Sequence, residues 1–147
     1  MPELRTLELV NVRNHRALTV ELSPVTVITG ANGSGKTAIL EAISYISVAD
    51  SWKVERDAEV VQFDQPFARI VAGEREVIIQ RSPALKRYRV DGVSKRLGDV
   101  LGQIPSVLFQ PDDSQLVQGS PGYRRKALDR LLSQTITGYA KQLQHLQ

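Results

Sequence analysis

One eight-residue segment constrains this chain more than any other part of its sequence. It reads Gly30-Ala31-Asn32-Gly33-Ser34-Gly35-Lys36-Thr37 and matches the Walker A pattern G-x-x-x-x-G-K-[ST] at every fixed position. Glycines let the backbone curl until several N–H groups face one anion, and a helix that begins there adds the positive end of its dipole. The segment therefore predicts a phosphate-binding loop.

The residues on either side of this loop fit that interpretation. Val25–Thr29 is a β-branched run typical of a buried strand, and isoleucines at helical spacing predict a helix over 36–48. Lys36 would place a cation against the β- and γ-phosphates, and the Thr37 hydroxyl is the expected Mg²⁺ ligand. We therefore expect residues 30–38, ending at Ala38, to bind ATP with Mg²⁺.

Composition excludes several classes of function. A length of 147 residues predicts one compact domain. The absence of cysteine excludes disulfides, thiolate metal sites and cysteine nucleophiles, and it fits the cytoplasm, where we expect the protein. No run approaches the roughly 20 apolar residues of a bilayer span, so no membrane partner is expected.

Positive charge is concentrated in the second part of the chain. Residues 1–80 carry 8 Lys/Arg against 11 Asp/Glu, whereas residues 81–147 carry 11 against 5. The candidate DNA contacts within this part are Arg81, Lys86, Arg87 and Arg89, of which alternation puts Arg87 and Arg89 on one strand face. This pattern favours a nucleic-acid partner, although a solvated basic hairpin explains it as well.

The rest of the chain predicts an α/β protein. Two strands are expected early, and a small antiparallel meander with a tight turn at Asp91-Gly92 follows, in the order Leu4–Val10, Ala17–Leu22, Phe67–Ala72, Glu76–Arg81 and Tyr88–Val90. Ile104–Phe109 resembles a further buried strand. Two helices are expected: a short one over Lys95–Leu101 with Ser94 as N-cap, and a long one from Ser120-Pro121 to Gln147.

Motifs narrow the class of P-loop protein. A GTPase should carry an N-K-x-D segment, which is absent, whereas a small-molecule kinase is not excluded by motif. An ATP-binding-cassette protein needs a Q-loop, a signature motif and an apolar run that ends in an acidic pair. Only the Q-loop has a candidate, Gln110, with Gln118 as its rival; Val107–Asp113 could be misread as the apolar run.

Two parts of the sequence resemble the bacterial RecF family. The first runs from Asn11-Val12-Arg13-Asn14-His15 to Ile28–Ile43. The second is Val107–Asp113 followed by Gly119-Ser120-Pro121 and Arg124-Arg125-Lys126-Ala127-Leu128-Asp129. The resemblance covers nearly all of the chain and corresponds to the front portion of a family member. Residues 121–147 would begin its helical lobe.

The resemblance implies an ATPase head of the ABC/SMC type, with a mixed sheet around the Walker A helix. Such heads form ATP-dependent homodimers, bind double-stranded and gapped DNA, and act with RecO- and RecR-type proteins to load recombinase. Arg13 and Asn14 match the ATP-contacting pair of the family, whereas His15 departs from its Tyr or Phe. Lys36 and Gln110 would be the catalytic residues, with Gln110 near Mg²⁺ and the attacking water.

The resemblance also implies a weak, DNA-dependent ATPase activity. Neither the signature motif nor the acidic pair occurs in these 147 residues. Without that pair, no group would activate the attacking water. We therefore expect this chain to bind ATP better than it hydrolyses it.

Overall fold

A computed structural model describes residues 4–144. Its strands are β1 (Thr6–Val12), β2 (His15–Glu21), β3 (Phe67–Ala72), β4 (Arg75–Gln80), β5 (Leu85–Val90) and β6 (Val93–Lys95). Its helices are α1 (Lys36–Val48), α2 (Leu97–Val100), α3 (Gln115–Gln118), α4 (Pro121–Thr135) and α5 (Tyr139–Gln144), with 3₁₀ turns at Asp57–Val60 and Pro111–Ser114.

The six strands form one antiparallel sheet in the order β2-β1-β3-β4-β5-β6. The pairing of Glu8 with Val71 joins the first hairpin to the predicted meander, so both belong to the same sheet. Alternate side chains point to one face, where Leu7, Leu9 and Ile70 are almost completely buried. Helix α1 packs on this face and contacts β1, β3 and β4.

Helix α1 spans the predicted residues and covers the sheet with its apolar side, which includes the fully buried Tyr45. It ends at Val48, and the C-cap residue Ala49 adopts a left-handed conformation (φ 59°) and donates its N–H to the Tyr45 carbonyl. The Ala49 carbonyl accepts hydrogen bonds from the Lys86 ammonium at 2.7 Å and from the Tyr88 hydroxyl at 3.4 Å. Strand β5 therefore holds the C-terminal end of α1.

Two predicted strands are wrong. Neither Val25–Thr29 nor Ile104–Phe109 forms a strand, and Val27 and Val107 are 79% and 94% exposed. A β-branched run becomes a strand only when a neighbouring strand satisfies its backbone N–H and C=O groups. Residues 4–144 supply no such neighbour to either run, and every strand pair among them is antiparallel rather than mixed. The α/β P-loop fold class itself is confirmed.

The structure confirms the Asp91-Gly92 turn, where φ is 52° and 73°, and it corrects the next element. The chain continues after this turn as strand β6, which includes Ser94. Helix α2 therefore begins after Arg96 and not after Ser94. Three further residues can pair with β5, and that backbone pairing outweighs the local capping preference of one serine.

The long helix predicted from Ser120 is interrupted. Ser120 is the N-cap of α4 and Pro121 its first residue, as expected, but Ile136 has extended backbone and Gly138 has φ 87°. The extended Ile136 ends α4, and Gly138 with its positive φ lies directly before α5 begins at Tyr139. Residues 145–147 of the predicted helix lie outside the described residues. Within 4–144, no helix is long and apolar enough to cross a membrane.

Candidate nucleotide site

The Walker A segment lies between the loop after β2 and the start of α1, and it is largely exposed. Its glycines have positive φ: 155° at Gly30, 82° at Gly33 and 94° at Gly35. In the described structure, the backbone N–H groups of Gly33, Gly35, Lys36 and Thr37 donate to no backbone carbonyl. These donors at a helix N-terminus form a binding site suited to phosphate oxygens.

Lys36 lies across this loop. Its ammonium donates to the carbonyls of Gly30 and Ala31, each at 2.7 Å. This cation is therefore next to the free N–H groups, where it would attract phosphate. The Thr37 side chain is exposed at the start of α1, as a Mg²⁺ ligand must be. The described residues contain no cluster of three or more His, Asp or Glu suited to hold a metal on their own.

The turn between β1 and β2 contacts the phosphate loop from the side. The Asn14 amide donates to the Gly33 carbonyl at 3.2 Å, and His15 Nε2 lies 3.1 Å from the Gly35 carbonyl oxygen. A carbonyl only accepts, so His15 Nε2 is the donor in this contact. A Cβ at Gly35 would lie 2.2 Å from His15 Nε2. Gly35 is thus required both by its positive φ and by this close approach.

Arg13, the other residue of the predicted ATP-contacting pair, does not contact the loop. Its Nε and Nη2 donate to the two oxygens of Glu41 at 2.8 and 2.9 Å, and its Nη1 donates to the Glu59 carbonyl at 2.9 Å. The Glu41 hydrogen bond raises the pKa of Arg13 and outweighs the opposing effect of burial. The structure therefore brings Asn14 and Lys36 together at the loop and places Arg13 against α1.

Glu41 is the residue that the sequence analysis missed. Its side chain is only 1% exposed, and it also accepts a hydrogen bond from the Ser51 hydroxyl. Its position in the sequence could have indicated this role, because Glu41 falls on the apolar side of an amphipathic helix. A carboxylate that is buried there needs a charged or hydrogen-bonding partner. That partner is Arg13, 28 positions earlier in the chain.

The four predicted DNA contacts do not form a continuous free basic surface. Arg81 donates to the Val61 and Gln62 carbonyls at 2.6 and 3.1 Å, and Arg89 pairs with Glu76 at 3.2 Å. Arg87 and Arg89 share a face, as predicted, because Arg87 pairs with Ile78 and Arg89 with Glu76 across β4. Among the described contacts, Arg87 has no partner, and it is exposed.

Lys86 points to the opposite side of β5, toward α1. Its ammonium is 2.7 Å from an Asp57 oxygen and 2.7 Å from the Ala49 carbonyl, and it lies 5.5 Å from the centre of the Tyr45 ring. Burial first, and then the Asp57 hydrogen bond, raise the pKa of Tyr45, which therefore stays protonated and donates to Asp57. Lys86 is a structural residue that connects β5 with α1.

The segment that contains Gln110 differs from the prediction. Gln110 was expected to follow a buried strand, yet its neighbour Phe109 is 88% exposed and no strand is present. The Gln110 N–H donates to an Asp113 oxygen at 2.8 Å, which closes the turn that begins at Pro111. Asp113 is thus part of a turn and not of an acidic pair after a strand. No described contact joins Gln110 or Gln118 to the phosphate loop.

Comparison with known proteins identifies the family. Residues 6–97 match the AAA domain family. The curated relatives include the DNA replication and repair protein RecF of Heliobacterium modesticaldum, 37% identical, and that of Halalkalibacterium halodurans, 38% identical. These alignments cover 93% and 95% of this chain but only 39% and 40% of the relatives.

A solved structure agrees with this result. It is described as the recombination mediator protein RecF-ATP in the RecFOR pathway, and it matches with a TM-score of 0.88 at 27% identity. The match covers 97% of this chain and 42% of that one. The chain therefore belongs to the AAA domain family, as a RecF-type member that spans about two fifths of the length of these relatives.

Proposed function

We propose that this chain binds ATP with Mg²⁺ at residues 30–38. The observation that carries the proposal is the group of unpaired backbone N–H donors at the start of α1, beside the Lys36 ammonium. Asn14 and His15 hold the loop from the side, and Thr37 would coordinate Mg²⁺ together with the phosphates. The related structure named RecF-ATP supports ATP as the nucleotide.

The wider function is proposed from the relatives, because this chain spans only part of their length. Their name, DNA replication and repair protein RecF, supports an ATP-dependent protein of recombinational repair that binds double-stranded and gapped DNA. The RecFOR pathway named for the related structure supports RecO- and RecR-type partners. An ATP-dependent homodimer and a weak, DNA-dependent ATPase activity complete the proposal.

DNA would contact the outer face of the sheet, opposite α1. Arg87 is exposed on that face, and Arg89 lies beside it in an ion pair with Glu76. Arg81 would contribute less, because two carbonyls already hold its guanidinium. Lys86 is the weakest of the four candidates, because its ammonium is already bound on the inner face. Contacts of this kind read phosphates and give salt-sensitive affinity with little sequence preference.

Gln110 stays a proposed ligand of Mg²⁺ and the attacking water, with Gln118 as its rival. The support for this role is the resemblance to the RecF family. The strand expected before Gln110 is absent, and neither glutamine contacts the loop in the described structure. The Mg²⁺ dependence of ATP binding by Gln110→Ala and Gln118→Ala variants would separate the two. A selective loss in Gln118→Ala would contradict the assignment.

The test of the nucleotide site is titration calorimetry with Mg²⁺-ATP, with GTP as competitor. Lys36→Ala should abolish binding, whereas Lys53→Ala should not, because Lys53 is exposed and its side chain has no described contact. Equal affinity in both variants would refute the site. A titration of gapped duplex DNA against salt then tests the DNA proposal, and a phosphorylated small-molecule product without DNA binding would favour a kinase instead.

A further inference from the structure

The contacts around the phosphate loop form a closed ring. The loop leads into α1, α1 carries Glu41, and Glu41 holds Arg13 through two hydrogen bonds of 2.8 and 2.9 Å. The two residues after Arg13 return to the loop, where Asn14 contacts Gly33 and His15 contacts Gly35. We propose that Glu41 is a positioning residue of the nucleotide site, which acts by holding the β1–β2 turn against the loop. The inference rests on the proposed ATP-binding function.

The conformation of Arg13 indicates that the turn is held and does not form by local preference alone. Arg13 has φ 53°, a left-handed conformation that is unfavourable for a residue with a side chain. Three groups fix it: the Glu41 carboxylate, the Glu59 carbonyl and the Val60 carbonyl, which accepts the Arg13 N–H at 2.8 Å. Glu41 is the only charged group among the three.

The turn can orient donors of the loop through the geometry of the peptide bond. In a trans peptide, each C=O and the next N–H point in opposite directions. When the turn side chains bind the carbonyls of Gly33 and Gly35, the N–H groups of Ser34 and Lys36 point away from the turn. The Lys36 N–H has no backbone acceptor, so it stays available to a phosphate oxygen.

A purely structural role for Glu41 is the alternative, and the chain offers a matched control. Glu76 is also largely buried and also binds two arginines, Arg69 and Arg89, but it lies on the outer face of the sheet. It has no described contact with the phosphate loop. Removing its charge therefore costs arginine contacts without releasing the β1–β2 turn.

The experiment measures the Mg²⁺-ATP dissociation constant of the chain and of Glu41→Gln, Glu76→Gln and Arg13→Lys variants. Glutamine keeps the shape of Glu41 but presents an amide donor to the guanidinium. We expect Glu41→Gln to bind ATP about tenfold more weakly and Glu76→Gln to stay within about twofold. Arg13→Lys should also lose affinity, because an ammonium cannot make the paired contact. The double variant of Arg13 and Glu41 should be no weaker than the weaker single one.

Amide exchange of Arg13 and Ser34 provides the second readout, because their N–H groups are hydrogen-bonded to the carbonyls of Val60 at 2.8 Å and Ala31 at 3.2 Å and would lose protection if the turn came loose. Faster exchange in Glu41→Gln than in Glu76→Gln supports the positioning role of Glu41, whether or not the chain binds ATP. Failure of the unmodified chain to bind ATP would refute only the proposed ATP-binding function. Unchanged exchange and affinity in folded Glu41→Gln overturn the positioning role, as do equal losses in the two glutamate variants. If Glu41→Gln fails to fold, Arg13→Lys decides by the same two measurements, because Arg13 is partly exposed.

Discussion

Lys86 and Arg87 are adjacent cations for which the structure predicts opposite roles. The Lys86 ammonium is bound to Asp57 and to the Ala49 carbonyl on the inner face, whereas Arg87 is exposed on the outer face. Replacing each by methionine removes the charge and keeps a long apolar side chain. Lys86→Met should therefore destabilise the fold, and Arg87→Met should weaken DNA binding.

The size of the effect at Lys86 follows from its two contacts. A hydrogen bond from a charged donor to a buried carbonyl contributes about 1.5–3 kcal/mol, whereas an exposed ion pair contributes about 0–1 kcal/mol. The side chains of Lys86 and Asp57 are 21% and 35% exposed, so the value lies between these limits. We expect Lys86→Met to lower the free energy of unfolding by about 1–2 kcal/mol, and Arg87→Met to change it by less than about 0.5 kcal/mol.

Urea unfolding measures the first quantity, and fluorescence anisotropy of labelled duplex DNA across a salt series measures the second. Arg87→Met should reduce the slope of log affinity against log salt by about 1, and Lys86→Met should leave that slope unchanged. The reasoning is refuted if Lys86→Met unfolds like the unmodified chain and reduces the salt slope. That result would mean that Lys86 contacts phosphates and not the end of α1.

Three further changes test other parts of the structure. Gly35→Ala should weaken ATP binding in calorimetry and lower the free energy of unfolding by at least about 1–2 kcal/mol, because φ of Gly35 is 94° and the new Cβ would clash with His15. A variant that binds ATP with normal affinity would contradict this. Burial raises the pKa of Glu76, but its two arginine partners lower it further, so the net pKa is depressed. Its stabilising effect is present above its unfolded-state pKa of about 4.3 and is lost as the pH falls through the lower folded-state pKa. Urea unfolding at pH 6 and pH 3 should show a smaller acid loss in Glu76→Gln, and an equal loss would argue against the ion pairs. Ile70→Ala, at a fully buried position, should cost about 2–5 kcal/mol in the same assay, and a loss below about 1 kcal/mol would contradict the core assignment.

Local patterns were enough to predict α1, the antiparallel strands and the Walker A segment. In each case the residues that determine the structure are neighbours in sequence, as in the glycines before Lys36 or the turn at Asp91-Gly92. Val25–Thr29 failed for the opposite reason. A strand needs a distant partner, and a β-branched sequence alone does not show whether that partner is present.

The site was predicted less completely because two of its contacts join distant parts of the chain. The Arg13–Glu41 pair spans 28 positions, and the contact of Lys86 with Ala49 spans 37. The direction of Lys86 was nevertheless readable. Alternation along a strand puts Lys86 on the same face as Tyr88, and a buried tyrosine marks that face as the inner one.

Helix α1 is fastened to the sheet at both ends. His15 contacts the carbonyl of Gly35, the residue just before α1, and Lys86 and Tyr88 of β5 donate to the carbonyl of Ala49, the residue just after it. To slide along its axis or swing out by itself, the helix would have to break these hydrogen bonds. Any movement that a bound nucleotide imposes on α1 must carry β1 and β5 with it, so helix and sheet should turn as one solid block. Such a block would tilt Arg87 on the far side by the same angle as the phosphate loop.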